Sequence, residues 1–200
     1  SFGTYHELKW RMEERARAEN RFNVSIACPG ACLGPWDLRV GTSALLVGIA
    51  HGLNPPHPDG FVNLVDARDV AEALVRIALR ETAVERVLLA AQNHRLHTLL
   101  EALALRYGRP APHAPLSDHD ARAFADREER AYVETGKRPM LSREIVDLVL
   151  HGVAVAASFA EKSLGMRWRP LEETLDAFDD WARRMRILPE RTTPSQELGT

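Results

Sequence analysis

Tyr5 and Lys9, four residues apart, form the pair with the clearest chemical potential in this sequence. Residues 4–20 contain strong helix formers and neither glycine nor proline, which predicts a helix. At this spacing two helical side chains lie one above the other and can reach a common ligand. A nearby ammonium group stabilises a phenolate, the form of tyrosine that accepts a proton. The pair therefore suits general acid–base chemistry, and the alternative is an amphipathic helix that carries both residues by coincidence.

A turn and a loop after the first predicted strand supply the next candidates. The apolar stretch FNVSIAC, residues 22–28, predicts a short buried strand, which Pro29 and Gly30 close. Trp36 and Arg39 follow in a loop rich in glycine and proline, and both are candidate substrate contacts. A turn that merely ends a strand is the plain alternative for Pro29 and Gly30.

Two cysteines, Cys28 and Cys32, flank that turn, and they raise the question of a metal site. Zinc would require two further ligands at matched spacing, whereas the eight histidines are scattered along the chain. We therefore predict no metal site and expect two free thiols that line the cleft. Asp69, at the start of a predicted helix over residues 69–80, is expected to be a helix cap or a structural hydrogen-bond acceptor rather than a catalyst, and Asp66 is the other candidate cap.

The composition limits the classes of protein to consider. The chain has 200 residues, 45% of them hydrophobic and 27% charged, which is ordinary for a globular domain. The net charge is −2 without a basic block, so we expect neither nucleic acid nor an anionic membrane surface as a partner. Two cysteines are too few for a disulfide framework and fit a reducing compartment, which favours the cytoplasm.

Neither a signal peptide nor a membrane span is predicted. The longest apolar stretch, residues 145–157, is interrupted by Asp147 and His151 and is shorter than the ~20 residues that a membrane-spanning helix requires. The sequence begins with Ser1 inside a predicted helix start, so we expect it to be a piece of a longer protein.

Strands and helices alternate in the front half, whereas the back half is nearly all helical. The predicted strands cover residues 22–28, 61–65 and 86–91, and the predicted helices cover residues 4–20, 42–52, 69–80, 97–107, 118–134, 142–151, 159–164 and 170–185. This order indicates part of a parallel α/β sheet with a helical lobe attached.

A series of motifs resembles the extended branch of the short-chain dehydrogenases/reductases, which includes epimerases/dehydratases and dihydroflavonol-reductase-like enzymes. In chain order they are Tyr-x-x-x-Lys, CPGACLGPWD, VNLVDARDVAEA, RVLLAAQNHRLHTLLEALALRYGRPAP and SFAEKSLGMRWRPLEETLDAFDDWARR. Each motif is weak alone, but the series runs in the family's order from Tyr5 to about Leu188.

The resemblance implies an α/β fold: the C-terminal portion of a Rossmann-type parallel-sheet domain plus a mainly helical substrate-binding lobe. Residues 1–92 would be the remainder of the dinucleotide-binding domain, with loop 30–60 facing the substrate. Residues 93–188 would form the lobe, and residues 189–200 a tail.

The resemblance also implies an NAD- or NADP-dependent oxidoreductase or epimerase that acts on a hydroxyl or carbonyl of a small or sugar-like substrate. Tyr5 would exchange a proton with the substrate, and Lys9 would hold the ribose hydroxyls. The backbone of Pro29, Gly30 and Ala31 would approach the nicotinamide. Such enzymes commonly form homodimers through helices that include the Tyr–Lys helix.

Three departures from the family pattern limit this expectation. The sequence has no Gly-x-x-Gly-x-x-Gly run for the cofactor pyrophosphate, and the family's Ser or Thr upstream of the tyrosine is missing. Leu8 also stands where the family often has Ser. We therefore expect roughly the C-terminal 60% of an enzyme, inactive alone; the alternative is a non-catalytic remnant that acts as a binding or assembly module. The choices of NAD or NADP, of reductase or epimerase, and of substrate remain open.

Overall fold

The computed structural model describes residues 4–80, 85–156 and 158–189, and within them helices and strands alternate as far as residue 106. The strands are β1 (Ile26–Pro29), β2 (Ala31–Leu33), β3 (Phe61–Asp66), β4 (Arg86–Leu89) and β5 (Gln92–Arg95). The helices are α1 (Thr4–Arg17), α2 (Ala44–Ala50), α3 (Ala67–Ala78), α4 (Leu96–Arg106), α5 (Asp118–Thr135), α6 (Arg143–Leu150), α7 (Ser158–Leu164) and α8 (Leu171–Arg184).

The strands form two neighbouring ladders that Gly30 connects. β1 pairs in parallel with β4, β2 pairs in parallel with β3, and β5 adds an antiparallel partner to β3. The Gly30 amide donates to the Leu89 carbonyl at 2.9 Å, so Gly30 extends the β1–β4 pairing at the point where the chain passes from β1 into β2. The predicted parallel α/β sheet is confirmed, with β5 as an antiparallel addition.

Three apolar clusters hold the helices in place. The largest lies around β2 and β3 and is covered by α2, α4 and α8, whose buried residues include Leu46, Leu103 and Phe178. A second cluster joins α3 and α7 to β1 and β4, and a third joins α5 to α6. Because the largest cluster combines strands from the front half with helices from the back half, the two halves share one core.

The predicted boundary between residues 92 and 93 falls inside β5. The division into a dinucleotide-binding part and a helical lobe stays a prediction. The predicted strand over residues 86–91 ends at Leu89, and β2 and β5 were not anticipated. Most of the predicted tail, from residue 190 onward, lies outside the described residues. Among the described helices, none has the length and hydropathy needed to cross a bilayer.

Ion pairs attach the C-terminal end of α1 to the start of β4. Arg86 lies 3.1 Å from Glu13, and Arg17 pairs with Glu85. Trp10 on α1 is 60% exposed, whereas Trp181 on α8 is buried in the largest cluster. Periodicity locates the apolar face of a helix, but it does not reveal whether another element covers that face.

The two aspartates at the start of α3 have different structural roles. Asp66 is the N-cap and accepts a hydrogen bond from the Arg68 amide at 2.7 Å. Asp69 is fully buried, accepts from the Arg169 amide at 2.8 Å and pairs with the Arg169 guanidinium. Asp66 is therefore the cap, and Asp69 is the hydrogen-bond acceptor that ties α3 to the segment before α8.

Gly152 allows the end of α6 to rest directly on β3. A Cβ atom at this position would lie 2.2 Å from the Phe61 carbonyl oxygen and 3.0 Å from that of Val149. The first distance is far below van der Waals contact, and the obstacle is backbone, which cannot rotate away. The close approach of these two segments therefore requires glycine at position 152.

We expect Gly152→Ala to lower the free energy of unfolding by about 1–3 kcal/mol, the usual cost of overpacking. The measurement is urea unfolding followed by circular dichroism. Gly41→Ala is the matched control, because its added Cβ would lie 3.7 Å from Asp37 Oδ1, an ordinary contact. Equal unfolding free energies for the two variants would contradict the proposed steric requirement.

Asp66 also makes the free energy of unfolding depend on pH in the acidic range. Burial alone raises the pKa of Asp66, but hydrogen bonds from Arg68 and Thr174 outweigh burial and bring that pKa below its usual value. The pKa of Asp66 is lower in the folded protein than in the unfolded chain. Ionised Asp66 therefore stabilises the fold at pH values above its unfolded pKa, and this stabilisation is lost as the pH falls through its folded pKa.

Asp66→Asn should therefore reduce the loss of unfolding free energy between pH 5 and pH 3. At pH 7 the substitution should cost about 1 kcal/mol, since the ionised cap and its pairing with Arg68 are lost. Urea unfolding across this pH range tests both effects. Asp180→Asn, at an exposed position of α8, should retain the parent's acid dependence.

Candidate active site

Six parts of the fold meet around a cleft of about 770 Å³. They are the first turn of α1, the connection from β1 to β2, the loop before α2, β3, the end of β4 and the end of α6 with the residues that follow it. The lining residues are Tyr5, His6, Pro29, Gly30, Ala31, Cys32, Thr42, Phe61, Val62, Asn63, Leu88, Ala90, Asp147, Leu148, His151, Gly152, Val153 and Val155. Most of the wall is apolar, and polar side chains reach it from α1, β3 and α6.

Tyr5 lies in the wall of the cleft and is half exposed. The Lys9 ammonium lies 5.5 Å from the centroid of the Tyr5 ring, one helical turn further along α1. Lys9 itself is exposed and is not among the lining residues. The helix thus brings a positive charge beside a phenol that faces the cleft, as the spacing of the two residues predicts.

Pro29, Gly30 and Ala31 line the same cleft as Tyr5. A Cβ atom at position 30 would lie 2.6 Å from the carbonyl oxygen of Asn63. Packing of this turn against β3 therefore accounts for the glycine without any ligand. The role of these three residues in holding a nicotinamide stays a prediction.

The two cysteines differ in their relation to the cleft. Both are free and half-buried, but Cys32 lines the cleft and Cys28 is not among its lining residues. Burial raises the pKa of the Cys32 thiol, which keeps it protonated and weakly reactive near neutral pH. In the described part of the chain, no cluster of three or more histidines, cysteines and carboxylates could hold a metal ion.

Trp36 and Arg39 are not among the lining residues, whereas Thr42 from the same loop is. Trp36 is 74% exposed and has a φ angle of 73°. Asp37 holds the loop by accepting hydrogen bonds from the Gly41 amide at 3.0 Å and from the Ser43 hydroxyl at 2.7 Å. Contact of Trp36 and Arg39 with a substrate stays a prediction.

Polar residues from distant parts of the sequence complete the cleft. Asn63 lies in β3, Asp147 lies in α6, and His151 directly follows that helix, more than 140 residues after Tyr5. Asp147 pairs with Arg122 of α5, and its carbonyl lies 2.9 Å from His151 Nδ1. Sequence reasoning missed these residues, because no local spacing links them to the Tyr–Lys pair.

Comparisons with known proteins show what the chain as a whole is similar to. No protein-family model matches the chain. A protein from Synechocystis sp. named "Putative dihydroflavonol 4-reductase" is 26% identical over an alignment 186 residues long, and the match covers 90% of this chain and 54% of that protein. The structure of a nucleoside-diphosphate-sugar epimerase from Pseudomonas aeruginosa is 28% identical with a TM-score of 0.73, and the match covers 94% of this chain and 57% of the epimerase.

A third similarity concerns the fold alone. The human epimerase family protein SDR39U1, solved with NADPH, is 19% identical with a TM-score of 0.62, and the match covers 92% of this chain and 56% of that one. The Rossmann-type fold class is thereby confirmed. The chain spans about half the length of each of these relatives.

Proposed function

We propose that this chain, a relative of the epimerases and reductases of the extended short-chain dehydrogenase/reductase family, carries the proton-transferring part of an NAD(P)-dependent active site. The observation that carries the proposal is that Tyr5 and the turn from Pro29 to Ala31 line one cleft, with the Lys9 ammonium beside the Tyr5 ring. These are the residues that the family resemblance assigns to catalysis and to the nicotinamide end of the cofactor.

The residues present fit the nicotinamide–ribose end of NAD(P). A phenol, a backbone turn and an exposed ammonium lie on one side of the molecule, where they can contact a ribose and a carbonyl substrate together. When bound, NAD(P) supplies or accepts a hydride. Tyr5 moves a proton at the substrate oxygen, and Lys9 holds the ribose and places a positive charge beside the Tyr5 ring.

The pyrophosphate end of the cofactor requires residues beyond this sequence, since its glycines do not form the Gly-x-x-Gly-x-x-Gly pattern. The complete protein would supply them, and this segment alone would be inactive. We propose a small or sugar-like substrate with a hydroxyl or carbonyl group, turned over by reduction or epimerisation. The two free cysteines favour a cytoplasmic protein.

Tyr5→Phe tests the proton-transfer role in the complete protein. The ring is kept and the oxygen is lost, so turnover should fall by about 10²–10⁴-fold, the contribution of a general acid or base. Tyr132→Phe is the matched control, because it removes the same hydroxyl from a half-exposed tyrosine of α5. NADPH oxidation with an aldehyde panel and epimerisation of nucleoside-diphosphate sugars supply the assays.

Lys9→Met completes this test, because it should lower turnover and also weaken NADPH binding, measured by the fluorescence of the nicotinamide. Lys162→Met in α7 should change neither quantity. Turnover of Tyr5→Phe within a few-fold of the parent would contradict the acid–base assignment. That result would favour the alternative, a binding or assembly module without catalysis.

We further propose that the complete protein forms a homodimer through α1. This helix exposes Leu8, Trp10 and Met12, each more than half accessible to solvent. Exposed apolar side chains on one helix favour association, because burying them removes apolar surface from water. The family resemblance assigns the same helix to a dimer interface.

Trp10→Asp should convert the dimer to a monomer, since a charge in an apolar interface is costly to desolvate. Sedimentation velocity over a range of concentrations measures the change. Leu105→Asp places the same charge at an exposed position of α4 and should leave the dimer intact. A parent protein that sediments as a monomer at every concentration would rule out the proposed dimer.

A further inference from the structure

Two asparagines that face each other across the β3–β5 ladder hold the chain segment that follows α6. Asn63 and Asn93 are partners in the antiparallel register, and Asn63 Nδ2 donates to Asn93 Oδ1. Opposed side chains in such a ladder lie close enough to interact directly. The two amides therefore form one hydrogen-bonded unit on the surface of the sheet.

This asparagine pair binds the backbone of residues 153–155. The Val155 amide donates to Asn93 Oδ1 at 3.0 Å, and Asn93 Nδ2 donates to the Val155 carbonyl at 2.9 Å. Asn63 Nδ2 also donates to the Val153 carbonyl at 3.0 Å. The Asn93 side-chain amide thus donates to and accepts from the Val155 backbone, as the backbone of a neighbouring strand would.

The held segment forms an apolar part of the cleft wall. Residues 152–156 lie between α6 and α7 without regular secondary structure. Val153 and Val155 line the cleft together with Asn63 and Tyr5. Val153 is 63% exposed, so its isopropyl group is available to a ligand rather than used in the core. The position of this wall therefore depends on side-chain hydrogen bonds from β3 and β5.

We propose that Asn63 and Asn93 are positioning residues that fix Val153 and Val155 as the wall of the cleft, and that this wall determines how closely the apolar part of a substrate is held. The substrate part of this inference rests on the proposed function. The pair acts on ligand fit and leaves proton transfer to Tyr5, which lies on α1.

The chain offers a reporter and a control for a test that needs no substrate. Cys32 lines the same cleft, whereas Cys28 is outside the lining and serves as the internal reference. Asn54 makes an equivalent contact elsewhere, since its Nδ2 donates to the Ala111 carbonyl at 3.1 Å and its Oδ1 accepts from the His113 amide. Asn54→Leu therefore removes an asparagine–backbone contact of the same kind away from the cleft.

The experiment compares Asn93→Leu with Asn54→Leu in the complete protein. Asn93→Leu should accelerate hydrogen exchange of the Val155 amide about tenfold and labelling of Cys32 by N-ethylmaleimide about threefold or more, because the wall is released. Labelling of Cys28 should stay constant, and Asn54→Leu should change none of these rates. An unchanged labelling rate for Cys32 in Asn93→Leu would overturn the inference.

Asn93→Asp provides the graded variant, and it carries the test if Asn93→Leu does not fold. It retains the acceptor for the Val155 amide and loses the donor to the Val155 carbonyl, so both rates should lie between those of the parent and the released state. Rates for Asn93→Asp equal to those of the parent would overturn the inference.

Kinetics separate this inference from the proposed function. In the assay used for Tyr5→Phe, release of the wall should raise KM about tenfold and keep kcat within about twofold, since ligand fit is lost and acid–base chemistry is kept. A fall in kcat with an unchanged KM would overturn the positioning role. An inactive parent protein would instead contradict the proposed function, while the exchange and labelling rates would still decide whether the wall is held.

Discussion

The cleft depends on two places where the backbone of another segment packs directly against β3. Gly30 and Gly152 each bring a different segment against this strand, where a Cβ atom would lie 2.6 Å from the Asn63 carbonyl oxygen or 2.2 Å from that of Phe61. β3 also pairs with β2 and β5 through its backbone. One strand therefore fixes the turn from Pro29 to Ala31 and the point at which α6 leads into the segment that carries Val153.

Buried ionic contacts hold the helices around this sheet. Asp69 pairs with Arg169, and Asp179 accepts from the Tyr107 hydroxyl at 2.7 Å and from Arg106 at 3.1 Å. Burial, together with the hydrogen bond to Asp179, raises the pKa of Tyr107, so its hydroxyl remains a donor across the neutral range. Loss of one partner from such a pair leaves a buried charge uncompensated, at a cost of about 3–5 kcal/mol. These contacts connect α3, α4 and α8 and make their arrangement specific.

Periodicity and helix-capping signals predict the helices well, because both are local properties of the sequence. α5 lies within one residue of its predicted bounds at residues 118–134, and Ser117 caps it as a serine before a helix should. β2 and β5 escaped prediction for physical reasons. β2 has only three residues and forms through pairing with β3 about thirty residues away, and β5 is a polar QNHR stretch without an apolar alternation.

The residues of the candidate site also differ in this respect. Some are neighbours in sequence, whereas others are brought together by the pairing of distant strands. Tyr5 and Lys9 share one helix, so their spacing alone predicts that they are neighbours, and the 5.5 Å contact agrees with it. Cys32 lines the cleft as expected, whereas Cys28 does not. Asn63 and Asn93 meet only through the antiparallel register of β3 and β5, which no pattern in the sequence specifies.

The proposed acid–base pair and the proposed wall of the cleft lie on separate elements of this fold. Tyr5 and Lys9 lie on α1, which ion pairs fasten to β4, whereas Val153 and Val155 are held by hydrogen bonds to β3 and β5. Because these two sets of contacts share no residue, we expect a substitution in the wall to change the shape of the cleft and to leave the geometry of the Tyr–Lys pair unaltered. Under the proposed function, the segment after α6 can therefore vary while the acid–base pair is kept.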